Sequence, residues 1–251
     1  MTPEPGALDA PDLERRFSGL ARLYGADAYA RIRQLHVAVV GVGGVGSWAA
    51  EALARSGIAK LTLIDLDQVS ESNINRQVQA LGVTVGQAKV DALRARIADI
   101  HPGCDVRTIE EFVDETNWPG LVTDRPDAVI DACDQVRAKA ALGAWAIAER
   151  VRLVTVGAAG GKREPHKVDV DDLARVTHDA LLASLRQRLR KFHRAPRTGR
   201  IGIRCVFSRE QAVPGGETQT DRSLNCHGYG SSVAVTATFG MVAAGLVLAD
   251  S

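Results

Sequence analysis

The chain has 251 residues, of which 45% are hydrophobic and 24% are charged. This balance is typical of a globular protein and excludes a wholly disordered, collagenous or coiled-coil chain. The 31 lysines and arginines nearly equal the 30 aspartates and glutamates, so binding to a polyanion would have to come from local clustering of charge. The four cysteines have no C-x-x-C spacing, which argues against a zinc ribbon and favours reduced thiols in a cytoplasm.

The N-terminal segment is acidic and proline-rich and has no apolar core, so it does not resemble a secretory signal. We predict a flexible N-terminus over residues 1–15 and a single α/β domain over 16–251, with a mobile loop near 208–225. The long apolar stretch Val233–Ala249 includes threonines and glycines. It is predicted to be a buried helix, and no membrane partner is expected.

Strands and helices alternate along the chain. The β-branched run His36–Gly41 predicts a strand buried on both faces of a sheet, and helical spacing follows over 45–56. The pattern recurs with predicted strands at 60–64, 106–109, 128–131, 153–156 and 203–207 and predicted helices at 87–100, 136–149 and 177–189. Alternation of this kind builds a doubly wound, mostly parallel, Rossmann-like sheet.

The first predicted strand leads into a glycine-rich turn with glycines at Gly41, Gly43, Gly44 and Gly46. The turn fits G-x-G-x-x-G between a strand and a helix, where backbone N–H groups can receive a phosphate. The alternative is a tight turn without a ligand. The turn therefore predicts a nucleotide, but it does not choose among ATP, NAD and a methyl donor.

Charged and amide side chains follow the second predicted strand. They are Asp65, Asp67, Asn73, Arg76, Gln77 and Lys89. Asp65 comes about 20 residues after the last glycine, where a carboxylate can bind ribose hydroxyls. Phosphoryl or nucleotidyl transfer needs fixed cations such as Arg76 and Lys89, because negative charge spreads over the phosphate oxygens in the transition state. The alternative for these two cations is a solvated helix face.

Two aspartates lie at and just beyond the end of the predicted strand at 128–131. Asp131 and Asp134 lie at its carboxyl end, the edge where open α/β sheets bind ligands. Asp134 could hold Mg²⁺, which prefers carboxylate oxygens and water beside phosphates. The alternative is that Asp134 caps the helix that begins near Val136.

In order and spacing, these motifs resemble the ubiquitin-activating-like adenylyltransferase superfamily. The resemblance implies the cofactors ATP and Mg²⁺. It also implies that the glycines of the turn and Asn73 hold ATP, and that Asp65 or Asp67 binds the ribose.

The same resemblance implies roles for the remaining motif residues. Arg76, Gln77 and Lys89 would bind the phosphates, and Asp134 would be the Mg²⁺ ligand. Arg76, Lys89 and Asp134 are therefore the candidate catalytic residues. A monovalent cation at the glycine-rich loops is left open.

A narrower resemblance separates this chain from the sulfur-carrier activators of the superfamily, which typically have two C-x-x-C zinc pairs that this chain lacks. Four stretches, Arg16–Gly25, Gly43–Gly57, Cys205–Ser208 and Val235–Gly240, are similar to the tRNA threonylcarbamoyladenosine dehydratase family. That family uses ATP to close the threonylcarbamoyl group, on the adenosine next to the anticodon, into a ring. The alternatives are activation of a ubiquitin-like sulfur carrier and a non-catalytic or NAD-binding Rossmann module.

A tRNA substrate requires a cationic surface, and one stretch of the chain supplies eight cations without an intervening acid. They are Arg186, Arg188, Arg190, Lys191, Arg194, Arg197, Arg200 and Arg204. We predict that this stretch contacts the RNA backbone, with a solvated helix and loop as the alternative. Aromatic residues are scarce, so base stacking would depend on a few positions such as Phe192 or Tyr229.

The resemblance also raises questions about a cysteine and about partners. Cys226 follows a polar stretch and is a candidate catalytic residue, because ubiquitin-activating enzymes use a catalytic cysteine. The alternative is a structural or sulfur-relay role, with a cysteine-desulfurase system as a partner. A homodimer is implied, in which Arg16 or Arg22 reaches the ATP of the neighbouring subunit.

Overall fold

The computed structural model describes residues 11–213 and 229–250. Part of the predicted flexible N-terminus, residues 1–10, and part of the predicted loop, residues 214–225, lie outside the described residues. The described part of the N-terminal segment includes the start of a helix at Leu13, where the side chain of Asp12 accepts a hydrogen bond from a backbone N–H. The first residue of the predicted loop, Ser208, is the last residue of a strand.

The described residues form seven strands. These are β1 (His36–Val40), β2 (Lys60–Ile64), β3 (Asp105–Ile109), β4 (Ala128–Asp131), β5 (Arg152–Val156), β6 (Val168–Asp172) and β7 (Arg204–Ser208). They make one sheet in the order β3-β2-β1-β4-β5-β7-β6. Every pair is parallel except β6 and β7, which run antiparallel. The predicted doubly wound, mostly parallel sheet is confirmed.

Seven α-helices occupy the same part of the chain. These are α1 (Leu13–Tyr24), α2 (Ala26–Ile32), α3 (Gly46–Arg55), α4 (Lys89–Ile100), α5 (Val136–Glu149), α6 (Ala180–Phe192) and α7 (Val233–Ala249). The predicted bounds of β2, β4, α5 and α7 match residue for residue. Helices α1 and α2, which precede the sheet, are additional elements.

Helices cover both faces of the sheet. Every residue of β1 is buried, and its side chains alternate between two apolar clusters. Val37 and Val39 belong to the cluster that includes residues of α3, α4 and α7, whereas Ala38 and Val40 belong to the cluster of α5 and α6. Burial on both sides explains why β1 is a continuous apolar run instead of an alternating one.

The chain reverses the order of its strands at β1, which lies between β2 and β4. Such a reversal leaves a crevice at the carboxyl ends of the two central strands. The turns after β1 and β4 meet there, because a Cβ atom at Gly41 would lie 3.0 Å from backbone atoms of Ala132 and Cys133. The fold therefore brings the glycine-rich turn next to the predicted metal ligand Asp134.

Helix α7 packs directly on α3. A Cβ atom at Gly240 would lie 2.5 Å from the carbonyl oxygen of Val45 and 2.9 Å from the backbone nitrogen of Ala49, so only glycine permits this approach. The prediction of a buried helix at 233–249 is confirmed. In the part of the chain that the structure describes, no helix combines the length and the hydropathy needed to cross a bilayer.

Candidate nucleotide-binding site

The glycine-rich turn needs its glycines for conformation and for space. Gly41 has a φ of 82°, which side chains other than hydrogen disfavour. A Cβ atom at Gly46 would lie 1.8 Å from the carbonyl oxygen of Gly41. Helix α3 begins at Gly46, and its N-cap residue Val45 provides no side-chain hydrogen bond. Backbone N–H groups at this helix end are thus available to a phosphate.

Asp65 links the second strand to the glycine-rich turn. Its Oδ2 accepts a hydrogen bond from the backbone nitrogen of Val42 at 2.8 Å, and its Oδ1 accepts one from that of Asp67 at 2.9 Å. Burial raises the pKa of Asp65, although the charge of Lys89 and these hydrogen bonds oppose the shift. Each carboxylate oxygen has a second lone pair, so Asp65 can hold the turn and still accept a ribose hydroxyl.

Lys89, at the start of α4, lies against Asp67. The Lys89 Nζ is 2.6 Å from Asp67 Oδ2, and the backbone nitrogen of Lys89 donates to the carbonyl oxygen of Asp67 at 3.0 Å. Lys89 is only 5% exposed, so the alternative of a solvated helix face is wrong for this residue. An ammonium group has three donors, and Lys89 can therefore bind a phosphate oxygen without releasing Asp67.

Arg76 lies beside the glycine-rich turn in a half-buried position. Its NH1 donates to the carbonyl oxygen of Ser72 at 2.7 Å and to Asn75 Oδ1 at 2.9 Å. Its aliphatic stem is 3.4 Å from where a Cβ of Gly44 would be, and its carbonyl oxygen accepts from Trp48 Nε1 at 2.9 Å. These contacts fix the backbone of Arg76 and place its aliphatic stem beside the glycine-rich turn.

Three buried amides support the same region. Asn73 Oδ1 accepts from the backbone nitrogen of Ser70 at 3.0 Å, which closes the short 3₁₀ turn before Arg76. Gln79, 1% exposed, donates to the carbonyl oxygen of Val42 at 2.8 Å and to Gln77 Oε1 at 3.3 Å. Gln79 is absent from the sequence-based site, because its contact with the glycine-rich turn joins residues far apart in the chain.

The predicted metal ligand Asp134 is exposed. The N-cap residue of α5 is Gln135, and no side-chain hydrogen bond caps the helix there. The alternative role of Asp134 as a helix cap is therefore wrong. Over residues 11–213 and 229–250, no group of three or more acidic, histidine or cysteine side chains could hold a metal ion. An isolated carboxylate still fits Mg²⁺, which is commonly held by one or two carboxylates, water and substrate phosphates.

A fully buried ion pair supports the β4–α5 turn, and the sequence did not reveal it. Lys139 Nζ is 3.1 Å from Asp131 Oδ1 and donates to the carbonyl oxygen of Val156 at 2.8 Å. Thr155 Oγ1 and Cys133 Sγ also donate to the Asp131 carboxylate. Burial disfavours the ammonium, but attraction to Asp131 raises the pKa of Lys139 overall.

Burial favours the protonated thiol form of the three described cysteines. Burial raises the pKa of Cys104 to about 12, and it raises the pKa values of Cys133 and Cys205 well above their ordinary range. Cys205 is buried, and Cys104 and Cys133 are half-buried. Cys205 belongs to the apolar core, and Cys104 and Cys133 pack against it.

Cys226 lies outside the described residues, but the chain on either side of it is anchored at one residue. The backbone nitrogen of Val213 donates to the carbonyl oxygen of Gly161, and the backbone nitrogen of Gly161 donates to the carbonyl oxygen of Gly230, both at 2.8 Å. Gly161 follows β5 in the chain.

Five of the eight predicted RNA-binding cations have partners within the fold. Arg186 donates to the carbonyls of Leu173 and Val176, Arg190 to that of Pro196, and Arg188, Arg200 and Arg204 pair with Glu115, Asp172 and Asp250. Arg204 begins β7, so it lies at the sheet edge opposite to the glycine-rich turn. The cationic stretch therefore does not form one surface on the nucleotide side.

The remaining cations are Lys191, Arg194 and Arg197, which are exposed. Within the described ranges, no side-chain hydrogen bond or ion pair involves them, although the Lys191 ammonium contacts the Phe192 ring. None of these three side chains has an acidic partner within the described ranges, so the prediction of an RNA contact stays open for the end of α6 and the segment after it.

Known proteins share this architecture over nearly the whole chain. A ThiF family model matches residues 15–248. The tRNA threonylcarbamoyladenosine dehydratase of Haemophilus influenzae is 40% identical, with 94% of this chain and 92% of the relative covered. The enzyme of that name from Escherichia coli is 43% identical, with 91% and 90% covered.

A crystal structure of the Escherichia coli dehydratase in complex with ATP gives a TM-score of 0.88 at 42% identity, covering 97% of this chain and 96% of that one. The chain therefore belongs to the ThiF family and, within that family, to the tRNA threonylcarbamoyladenosine dehydratases.

Proposed function

We propose that this chain uses ATP to activate the carboxylate of threonylcarbamoyladenosine in tRNA and to close it into a ring. The observation that carries the proposal is the crevice between β1 and β4, where the glycine-rich turn lies beside Arg76 and next to the turn that bears Asp134. The relatives of the same fold named tRNA threonylcarbamoyladenosine dehydratase, one of them crystallised with ATP, support it.

The chemistry explains why phosphate-binding cations suffice. A carboxylate is a poor acyl donor, but its attack on the α-phosphate of ATP forms a mixed anhydride with AMP and releases pyrophosphate. A nitrogen of the same modification then attacks the acyl carbon, loses its proton and expels AMP. Because both reacting ends belong to one substrate, positioning alone supplies an effective molarity of about 10⁵ M or more. No protein nucleophile is needed, so the proposal leaves Cys226 outside the ring closure.

The side chains of the crevice divide the work. Backbone N–H groups of the glycine-rich turn and the Lys89 ammonium bind phosphate oxygens, and Arg76 adds positive charge where negative charge grows in the transition state. Asp65 accepts a ribose hydroxyl while it holds the turn through Val42. Asn73 and Gln77 keep the loop that carries Arg76 in place.

Asp134 fits a Mg²⁺ ion, because it is an exposed carboxylate beside the turn that approaches Gly41. When bound, Mg²⁺ would neutralise phosphate charge. We expect Asp134→Asn to weaken the binding of Mn²⁺, as a spectroscopic substitute, in the presence of ATP, and Asp124→Asn to leave it unchanged. Electron paramagnetic resonance titration of free Mn²⁺ measures both. Equal Mn²⁺ affinity in the two variants would remove Asp134 from the metal site.

A homodimer is part of the proposal. Arg16 donates to the carbonyl oxygens of Asp99 and Ile100 at 2.7 Å in its own chain, whereas Arg22 is exposed. Arg22 is therefore the better candidate for an arginine that reaches the neighbouring nucleotide. Exposed apolar side chains such as Leu81 and Val83, at 47% and 83%, provide an apolar surface near Lys89 in the chain for a second copy.

The remaining expectations concern the setting of the enzyme. The substrate places its work in the cytoplasm, where tRNA is modified. A monovalent cation at the glycine-rich loops and a cysteine-desulfurase system acting through Cys226 stay as proposals that the ATP-dependent reaction does not require.

The decisive experiment follows the modified nucleoside. Purified protein, ATP, Mg²⁺ and tRNA bearing threonylcarbamoyladenosine are incubated, and the tRNA is digested for mass spectrometry. We expect a product lighter by one water, formed only with ATP. Unchanged nucleoside from folded protein contradicts the proposal. Pyrophosphate exchange driven by a ubiquitin-like carrier, or calorimetric binding of NAD and not of ATP, would support the two alternatives instead. Chromatography of the nucleotide products distinguishes AMP from ADP.

A further inference from the structure

An exposed aromatic ring ends helix α6. The ring of Phe192 is 57% exposed although the chain has few aromatic residues. Arg188 and Lys191 flank it, with the guanidinium carbon 5.1 Å and the ammonium nitrogen 5.0 Å from the ring centroid. A large apolar side chain in this position adds nothing to the core, so its surface is available to a ligand.

The ring borders a depression of about 250 Å³. Its walls are Val136, Ser184, Gln187, Arg188, Lys191 and Phe192. Val136 begins α5 and comes two residues after the candidate metal ligand Asp134. The depression therefore lies close to the turn of β4 and α5 that borders the nucleotide crevice.

The charges around the ring favour a polyanion. Arg188 is fixed by Glu115, with Arg188 NH2 and Glu115 Oε1 2.6 Å apart. This hydrogen bond lowers the pKa of Glu115. The charges of His193 and Arg137 lower the same pKa further. Arg188 thus keeps its place beside the ring, whereas Lys191 has no acidic partner within the described residues and can move to a phosphate.

We infer that Phe192 is a stacking platform for an unpaired nucleobase of the RNA substrate, with Lys191 bound to the adjacent phosphate. This inference rests on the proposed function, because that function supplies an RNA with unpaired bases beside the modified adenosine. Proteins that bind unpaired nucleotides combine aromatic faces for the bases with cations for the backbone. A base takes the place of the Lys191 ammonium on the ring, since base stacking is stronger than an exposed cation–π contact.

The test measures the affinity of an anticodon stem–loop that carries the modification, as a function of salt. We expect Phe192→Ala to weaken binding about 5- to 150-fold without changing the salt dependence, and Phe192→Trp to keep wild-type affinity. Lys191→Ala should instead reduce the slope of log affinity against log salt by about 0.7. Ile147→Ala, which shortens an exposed apolar residue on α5, is the matched control and should leave affinity unchanged.

A second arm locates the base. Abasic nucleotides are placed in turn at each unpaired position of the stem–loop. If one base stacks on Phe192, Phe192→Ala weakens binding to every loop except the one that lacks that base. Full affinity of Phe192→Ala, or losses that add at every position, overturns the inference, and so does binding of a protein partner with no RNA contact at the ring.

Two further measurements distinguish failure of the proposed function from failure of the stacking platform. ATP binding by calorimetry should be the same in Phe192→Ala and wild type, which shows that the variant is folded. If the wild-type protein does not convert the modified nucleoside, the proposed function fails. If it converts the nucleoside and Phe192→Ala binds like wild type, only the stacking platform fails.

Discussion

Lys89 and Lys139 form two ion pairs of the same chemistry at the same edge of the sheet, yet they differ in access to ligands. Each lysine lies in the first two turns of a helix and contacts an aspartate at or just beyond the end of a strand. The Asp131 and Lys139 side chains are both 0% exposed, whereas the Asp67 side chain is 32% exposed and that of Lys89 is 7% exposed.

The difference separates a structural cation from one that can bind a substrate. Lys139 donates hydrogen bonds to Asp131, Thr155 and the carbonyl oxygen of Val156. Its three N–H groups are therefore occupied, and none is left for a phosphate. Within the described residues, the Lys89 ammonium pairs with Asp67, whose side chain is partly solvated. Burial of an ammonium therefore does not identify a functional lysine; the number of its own-chain partners and the exposure of the counter-ion do.

The largest expected effect is on stability, in Lys139→Met. Removing one member of a fully buried ion pair leaves an uncompensated charge and costs about 3–5 kcal/mol. We expect the free energy of unfolding in urea to fall by that amount, and Lys139→Met combined with Asp131→Asn to recover much of it. Lys60→Met breaks an exposed pair with Asp124 and should cost about 0–1 kcal/mol. Equal losses in Lys139→Met and Lys60→Met would refute the structural role of Lys139.

The next effect is on turnover, in Lys89→Ala. Removal of one preorganised donor to a developing charge lowers turnover by about 10²-fold or more, and Arg76→Ala should give a loss of the same order. Asp67 is partly solvated, so the unfolding free energy should change little. Lys60→Ala, which also loses a lysine paired with an aspartate, should keep full activity. Conversion of the modified nucleoside under single-turnover conditions measures this, and wild-type rates in Lys89→Ala would remove Lys89 from the site.

The smallest effect comes from a buried group that carries no charge. His101, 1% exposed, lies 3.1 Å from Arg33 and 4.8 Å from the Phe17 ring. Burial, and then the charge of Arg33, lower its pKa. The unfolded chain therefore binds the proton first, and stability present above a pH of about 6.5 is lost as the pH falls towards the lower folded value.

His101→Gln should reduce that loss of stability between pH 7.5 and 5.5, as measured by urea denaturation. Part of the dependence should remain, because burial lowers the pKa of His36 as well. His166→Gln replaces an exposed histidine and is the control. A pH dependence that is the same in His101→Gln and wild type would contradict this account.

Local sequence patterns predicted helices and strands correctly where all the signals of an element lie within that element. Helix α5 and strand β4 have the predicted bounds because an apolar run and a long alanine-rich stretch without proline need no distant contact to be recognised. Helix α1 was missed although Asp12 caps it and Leu13, Phe17 and Leu20 follow at helical spacing. The antiparallel direction of β6 depends on its partner β7 and has no local signal.

The site was predictable as a set of motif residues and not as a network. Lys139 stands alone among alanines on the buried side of α5, which is a usable sign of a buried ion pair, but its partners lie on two other strands. Gln79 shows no such sign, because its bond to the Val42 carbonyl arises only when the chain has folded. The cationic stretch from Arg186 to Arg204 was predicted from its charge, while the division of its members between internal partners and solvent required the structure.

The two outermost strands of the sheet have a further consequence for how the protein behaves in concentrated solution. An open strand can pair with a strand of another molecule and start aggregation. Here β6 presents Asp169 and Asp171, and the opposite outer strand β3 presents Asp105 and Arg107. A neighbouring chain that added to either edge strand would have to dehydrate these charges. Both edges of the sheet therefore resist edge-to-edge association.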